Sequence, residues 1–214
     1  MNNKQSYPII AREGWLFIAI GIIVSIITFF ISTWISLFVT LVTIFMVQFF
    51  RDPKRNTPNN PNIIFSPADG KVICIEKTID PYQNVEATKI SIFMNVFNIH
   101  SNKSPANGVI EQVTYIPGKF LNADFDKAST ENERNAIVLK LANQDKITFV
   151  QIAGLIARRI LCYVKVHDRL SSGERYGFIK FGSRVDVYLP LNYKIAVKIN
   201  QKITGGLDPI AHII

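Results

Sequence analysis

The chain has 214 residues, 24 Lys and Arg against 16 Asp and Glu, a formal net charge of +8, and 48% hydrophobic residues. That length suits one globular domain plus an appendage. The positive charge favours anionic partners, but nothing resembles a nucleic-acid-binding module, and Cys74 and Cys162 lack metal-ligand spacing and the density of a disulfide scaffold, so they read as buried free thiols.

Residues 1–13 read as a cytoplasmic N-terminus. The run from Gly14 to Phe50 then contains no Asp, Glu, Lys or Arg. A bilayer span needs about 20 apolar residues, within a range of roughly 17–25. Residues 14–50 are too long for one ordinary span and suit two short helices, with a break near Ser32-Thr33 or Ser36. A buried core hairpin and one long tilted helix are the alternatives. A cleaved signal peptide fits poorly, because its apolar region runs to only about 7–15 residues. Lys4 and Arg12 precede the run, and Arg51, Lys54 and Arg55 follow it. The positive-inside rule puts both flanks in the cytoplasm, so a hairpin at the cell membrane, with the remaining chain on the cytoplasmic face, is expected. Juxtamembrane basic residues each add about 1 kcal/mol of attraction to an anionic bilayer surface.

"RDPKRNTPNNPN", residues 51–62, has three prolines and four asparagines and reads as a linker. Residues 63–214 read as a β-rich catalytic or binding domain. Strand-like runs fall at Lys71–Ile75, Thr88–Phe97, Gly108–Tyr115, Asn135–Leu141, Ile147–Ile152, Leu161–Val166, Tyr176–Phe181 and Arg184–Leu189. Only "GLIARRIL", residues 154–161, reads as a short helix. The fold class expected is mainly β, a compact barrel-like or sandwich-like domain of short strands with few short helices. "ADFDKASTENERN", residues 123–135, is the most polar stretch of the domain, either a solvated loop or a flap beside a site.

There is no GxSxG, HExxH, Walker loop or GxGxxG, and only three histidines occur: His100, His167 and His212. In "SPADGKV", residues 66–72, Asp-Gly suits a tight turn. Asp69 is either part of that turn alone or a group that orients a histidine and shifts its pKa. His100 follows an apolar strand in "FNIHSNKSPANGVI". In "RYGFIKFGSRVDVYLP", residues 175–190, the apolar alternation pauses at Gly182-Ser183. A turn explains the pause simply. The alternative is a reactive bond: a serine hydroxyl can attack the carbonyl of its own preceding peptide bond, and glycine there reduces crowding and permits unusual backbone angles. Loss of the α-proton from the resulting ester leaves dehydroalanine, whose hydrolysis yields a pyruvoyl group.

"SPADGKV", "VFNIHSNKSPANG", "YIPGKFLNADFDKASTENERN", "VQIAGLIARRI" and "GERYGFIKFGSRVDVYLP" occur in one order after an apolar anchor. Together they resemble the phosphatidylserine decarboxylase proenzymes in their short bacterial form, from the membrane segment to about Pro190. The resemblance implies a self-processing carboxy-lyase of phospholipid biosynthesis that turns phosphatidylserine into phosphatidylethanolamine and carbon dioxide. It implies cleavage between Gly182 and Ser183, giving a large chain of residues 1–182 and a small chain of residues 183–214. Ser183 would become a covalent pyruvoyl group that forms a Schiff base with the substrate's amine and acts as an electron sink, with no metal and no pyridoxal phosphate. His100 and Asp69 carry over by motif as the catalytic partners of Ser183. Longer members have H-x-x-H where this chain has His100 and Lys103, so the base for self-cleavage stays open. Arg184 is a phosphate-ligand candidate or a surface arginine. Homo-oligomeric assembly also stays open. The competing reading is a non-enzymatic, membrane-anchored β-domain that binds acidic lipid.

Overall fold

Residues 7–121, 123, 128–154, 159–180 and 182–214 are described by the structure, a computed structural model. The chain divides into two units, residues 1–54 and 55–214.

In the first unit the apolar run folds as α1 (Arg12–Phe29) and α2 (Thr33–Phe49), separated at residues 30–32. At 1.5 Å per residue these helices are about 27 and 26 Å long, close to the hydrocarbon thickness of a bilayer. Their contacts run in opposite directions: Ser36 Oγ donates to the Ser25 carbonyl at 3.0 Å, and an added Cβ on Gly21 would lie 2.4 Å from Thr43 Oγ1. The helices therefore form an antiparallel hairpin. Ala11 N–H donates to Phe50 O at 2.7 Å and Asp52 N–H to Ile9 O at 2.6 Å, which brings both ends together. Trp15, Leu16, Phe30, Trp34 and Phe38 are exposed. A surface of this kind, hydrophobic nearly all round, is usually covered by protein or by lipid rather than left in water. By length and composition α1 can cross a membrane, with a mean hydropathy of 1.7.

The second unit is the expected β-domain. Its elements are β1 (Ile63–Phe65), β2 (Gly70–Asp80), β3 (Val85–Met94), β4 (Ser101–Lys103), β5 (Gly108–Ile116), the one-turn α3 (Ala128–Glu131), β6 (Arg134–Lys140) and β7 (Lys146–Ala153). Then follow β8 (Ile160–Cys162), β9 (Arg169–Leu170), β10 (Arg175–Ile179), β11 (Ser183–Leu189), β12 (Lys194–Ile195), β13 (Lys202–Ile203) and β14 (Pro209–His212). The main sheet has eight strands in the order β13-β2-β3-β11-β7-β6-β5-β9, and two three-stranded sheets run β1-β14-β12 and β4-β10-β8. All recorded pairings between these strands are antiparallel.

Strand β11 decides the placement of the site. It lies inside the main sheet with β3 on one side and β7 on the other, and all seven of its residues are buried. Successive side chains point to opposite faces. Val185, Val187 and Leu189 enter the main core with Ile90, Ile92, Phe149 and Tyr176, whereas Tyr188 joins a second cluster with Ala87, Ala136, Val150 and Ile152. Ser183, two residues before Val185, shares the main-core face.

Two local expectations change. The helix expected at 154–161 lies partly outside the described residues, and its last two positions belong to strand β8. Cys74 and Cys162 are free thiols, but half-buried rather than buried. Burial, followed by the nearby Glu76 carboxylate, raises the pKa of Cys74.

Candidate functional site at Gly182-Ser183

The pause in the sequence corresponds to a bend at Gly182, between β10, the middle strand of the β4-β10-β8 sheet, and β11. Gly182 has φ +70°, the left-handed region that costs other residues roughly 1–2 kcal/mol. A Cβ built there would meet nothing within 4 Å. Conformation, rather than lack of space, calls for glycine at this position. Ser183 is fully buried, paired with Met94 of β3 and Ala153 of β7. Its Oγ donates to the Met94 thioether at 3.3 Å. Sulfur of this kind is a weak acceptor, so the hydroxyl is oriented in the resting chain without a strong bond to break.

His100 reaches the same place from another direction. β3 stops at Met94 because Asn95 and Asn98 close a turn. Asn98 Oδ1 accepts from Asn95 N–H at 2.9 Å, and Asn95 Oδ1 accepts from Phe97 N–H at 2.9 Å. The chain then turns into β4, which pairs with β10, and His100 O accepts from Ile179 N–H at 3.2 Å. The His100 ring is fully buried. Its Nδ1 donates to Asn98 O at 3.0 Å, and its Nε2 accepts from Gly182 N–H at 3.3 Å. These partners assign the neutral Nδ1–H tautomer, with the basic lone pair one peptide unit from the Gly182-Ser183 bond.

Several supporting residues carry no obvious signal in the sequence. Met94 sulfur also accepts from Asn102 Nδ2 at 3.8 Å. Gln151 Nε2 donates to Asn102 Oδ1 at 2.8 Å, and Asn135 Nδ2 donates to Gln151 Oε1 at 3.1 Å. The three amides are buried, and their mutual bonds offset desolvation that would otherwise cost about 1–3 kcal/mol per unsatisfied group. Asn132 Nδ2 donates to Ala153 O at 2.7 Å and to Leu121 O at 2.8 Å, tying the latter part of the polar stretch to the residues before it and to the end of β7. Residues 124–127 of that stretch lie outside the described residues. Gly154 follows β7, and a Cβ there would lie 2.4 Å from Gly182 O. The carbonyl of the bond in question thus rests against the Gly154 backbone. A glycine closing an apolar strand run was the available clue to such a close approach.

Asp69 lies in different company. Its carboxylate takes a two-pronged contact from Arg55, at 2.5 and 2.7 Å, and accepts from Gly205 N–H at 2.7 Å. Among the described residues these are its bonding partners, and His100 and Ser183 are not among them. Lys103, in the place of the second family histidine, is buried in β4. Its Cγ is 3.6 Å from where a Cβ on Gly206 would stand, so it borders the Gly205-Gly206 segment that Asp69 binds. Arg184 is neither a surface arginine nor open to a phosphate. It is 1% exposed, with Nε and Nη2 on Asp186 at 2.6 and 3.1 Å and Nη2 on Ser91 at 2.9 Å. Burial lowers its pKa, but the Asp186 carboxylate outweighs that and raises it overall.

The two glycines make separable predictions. Gly154→Ala places a Cβ against backbone and should cost about 1–3 kcal/mol, read as a fall of several degrees in Tm. Gly182→Ala meets no atoms and should cost only the left-handed strain of about 1–2 kcal/mol. An unchanged Tm for Gly154→Ala would show that the Gly182 carbonyl is not held there.

The chain matches the family model described as phosphatidylserine decarboxylase over residues 42–211. It is 55% identical over 213 residues to a phosphatidylserine decarboxylase proenzyme of Neisseria gonorrhoeae (strain NCCP11945), spanning 100% of this chain and 82% of that one. It is 54% identical over 215 residues to the proenzyme of Ralstonia nicotianae, across 100% of both chains. Against the proenzyme of Cupriavidus taiwanensis the identity is 53% over 209 residues, 97% of each chain. With the match covering most of its length, the chain belongs to the phosphatidylserine decarboxylase family.

Proposed function

We propose that the protein decarboxylates phosphatidylserine to phosphatidylethanolamine after cleaving itself between Gly182 and Ser183, and that Ser183 becomes its pyruvoyl group. The observation that carries this reading is the approach of His100 Nε2 to Gly182 N–H, 3.3 Å, beside a fully buried serine hydroxyl. A lipid-holding module without activity is not favoured, given the identity to proenzymes along the whole chain.

Self-cleavage begins with attack of Ser183 Oγ on the Gly182 carbonyl carbon. His100 is the nearest described imidazole, and its lone pair can take the hydroxyl proton and return it to the Ser183 nitrogen as the C–N bond breaks. To do so the ring must give up its resting bond to Gly182 N–H. Burial limits the water that reaches the ester. Asp69, held by Arg55 and Gly205, acts in this reading by fixing the turn that supports β4. Its role is therefore at a distance from the proton transfers.

A pyruvoyl group at position 183 would supply a carbonyl able to bind the substrate's amine and an electron sink for the pair released on decarboxylation. The residues around position 183 have room for such a group, since it lacks the Oγ that now contacts Met94 and carries a keto oxygen in place of the serine nitrogen. His100 is then placed to hold or supply the proton at the carbon that loses carboxylate. The small chain remains in place after cleavage because β11 is bonded on both sides and β13 and β14 pair with β2 and β1.

We further propose that the α1-α2 hairpin inserts in the cell membrane and that the β-domain works at its cytoplasmic face, where the anionic substrate is presented. The paired hairpin ends and the basic residues Arg12, Arg51 and Lys54 support this. In a cysteine-free background, Arg12→Cys and Lys54→Cys should both resist an impermeant thiol reagent in intact cells and react after permeabilisation. Reaction of only one in intact cells would indicate a single span.

Ser183→Ala should abolish both cleavage and decarboxylation of phosphatidylserine vesicles, and normal turnover by the folded variant would sink the reading. His100→Ala should lose about 10²–10⁴-fold in decarboxylation. If it cleaves normally, His100 acts only on substrate; near-normal rates in both steps would make it structural.

A further inference from the structure

We propose that Arg184 is a positioning residue: its guanidinium, bound to Asp186 and Ser91 on the sheet face opposite the reacting hydroxyl, holds residue 183 in place while the ester is converted. The inference rests on the self-processing reading above.

Arg184 is the largest fully buried side chain among the described residues. A long cation normally leaves its charge in water. This one immediately follows the bond to be cleaved and turns its charge inward. Asp186 lies two residues along the same strand, and Ser91 belongs to β3, opposite Asp186 in the ladder. The three-way contact therefore joins β11 to its neighbour. A buried ion pair is a poor choice for stability alone, because apolar residues of similar volume often do as well or better. What the planar guanidinium provides is fixed geometry.

The chemistry explains why geometry is needed at this point. In the acyl shift Ser183 Oγ bonds to the Gly182 carbonyl carbon and the C–N bond breaks. The hydroxyl proton goes to nitrogen, leaving an amine at residue 183. The backbone tether on that side is gone, and Gly182 is linked only through the serine side chain. The ester has two fates. Removal of the Cα proton with breakage of the Cβ–Oγ bond releases the Gly182 carboxylate and leaves dehydroalanine, which takes up water and loses ammonia to give the pyruvoyl group. Attack of water on the ester carbonyl instead breaks its acyl C–Oγ bond and leaves an ordinary N-terminal serine. Elimination requires the Cα–H bond to face a base and align with Cβ–Oγ. Hydrolysis places no demand on Cα. Freedom at residue 183 therefore shifts the outcome toward serine, and Arg184 is the first residue still fixed on the other side. After conversion residue 183 has no N–H to donate, so Arg184 also anchors the first bonded residue of the small chain.

The test uses full-length protein in three forms: wild type, Ser91→Ala, and the paired change Arg184→Met with Asp186→Leu, which removes the ion pair without stranding a buried charge. Each is purified, allowed to process, and the small chain is weighed under denaturing conditions to give the ratio of serine to pyruvoyl termini, with Tm measured alongside. Wild type should yield pyruvoyl almost alone. The serine-terminated fraction should rise several-fold in the paired variant and less in Ser91→Ala. Should the paired variant fail to fold, Ser91→Ala decides, since its ion pair stays intact. Variants that keep the wild-type ratio, even with lower Tm or slower cleavage, would overturn the positioning role. A folded wild-type chain that stays whole would overturn the self-processing reading itself, a different result.

Discussion

Burial of Ser183 at the start of a strand bonded on both sides is the constraint on which the rest depends. Strand β11 cannot move without breaking ladders with both β3 and β7. Its first residue is therefore as fixed as the core, while the residue before it, Gly182, takes a left-handed bend with open space where a Cβ would stand. A fixed serine hydroxyl thus stands next to a glycine in the left-handed region. Met94 holds the hydroxyl from one strand, Gly154 bounds the carbonyl from another, and His100 approaches through the β4-β10 pairing. Each contact comes from a different element, and the sheet order brings them together.

The same constraint would keep a chain cut at 182/183 folded. Residues 183–214 contribute Val185, Val187, Leu189, Tyr193, Ile203, Ile210 and Ala211 to the buried core. Burying a Val, Leu or Ile side chain is worth about 1.5–3 kcal/mol, so two chains formed by cleavage at 182/183 would be held by the interactions that fold the intact one. Cutting one peptide bond at a strand's entrance removes few of them.

Much of this was legible in the sequence. The eight expected strands correspond to β2, β3, β5, β6, β7, β8, β10 and β11, and the apolar run forms two helices that part near Ser32. The strand ends were less legible for local reasons. β2 continues to Asp80 through the charged Glu76-Lys77 pair because Glu76 forms an ion pair with Lys89 across the ladder. β3 stops short of Phe97 because Asn95 and Asn98 cap a turn. The short β12–β14 strands have too few residues to show alternation.

At the site, Ser183 and His100 stood out through their motifs, but their surroundings did not. Both faces of the main sheet are buried near β11, so alternation could not tell the inward amides Gln151, Asn102 and Asn135 from solvated ones, or Arg184 from a surface cation. The partner of Asp69 was hidden for another reason: Arg55 lies in a Pro- and Asn-rich stretch that reads as a linker, and only the fold brings it to the Asp-Gly turn.

The central claim is that the Gly182-Ser183 bond is the origin of the reactive group. The most direct measurement is the mass of the purified wild-type protein under denaturing conditions. The account predicts two chains meeting at 182/183, the smaller beginning with a pyruvoyl group in place of Ser183. A single intact chain recovered from folded protein would contradict it.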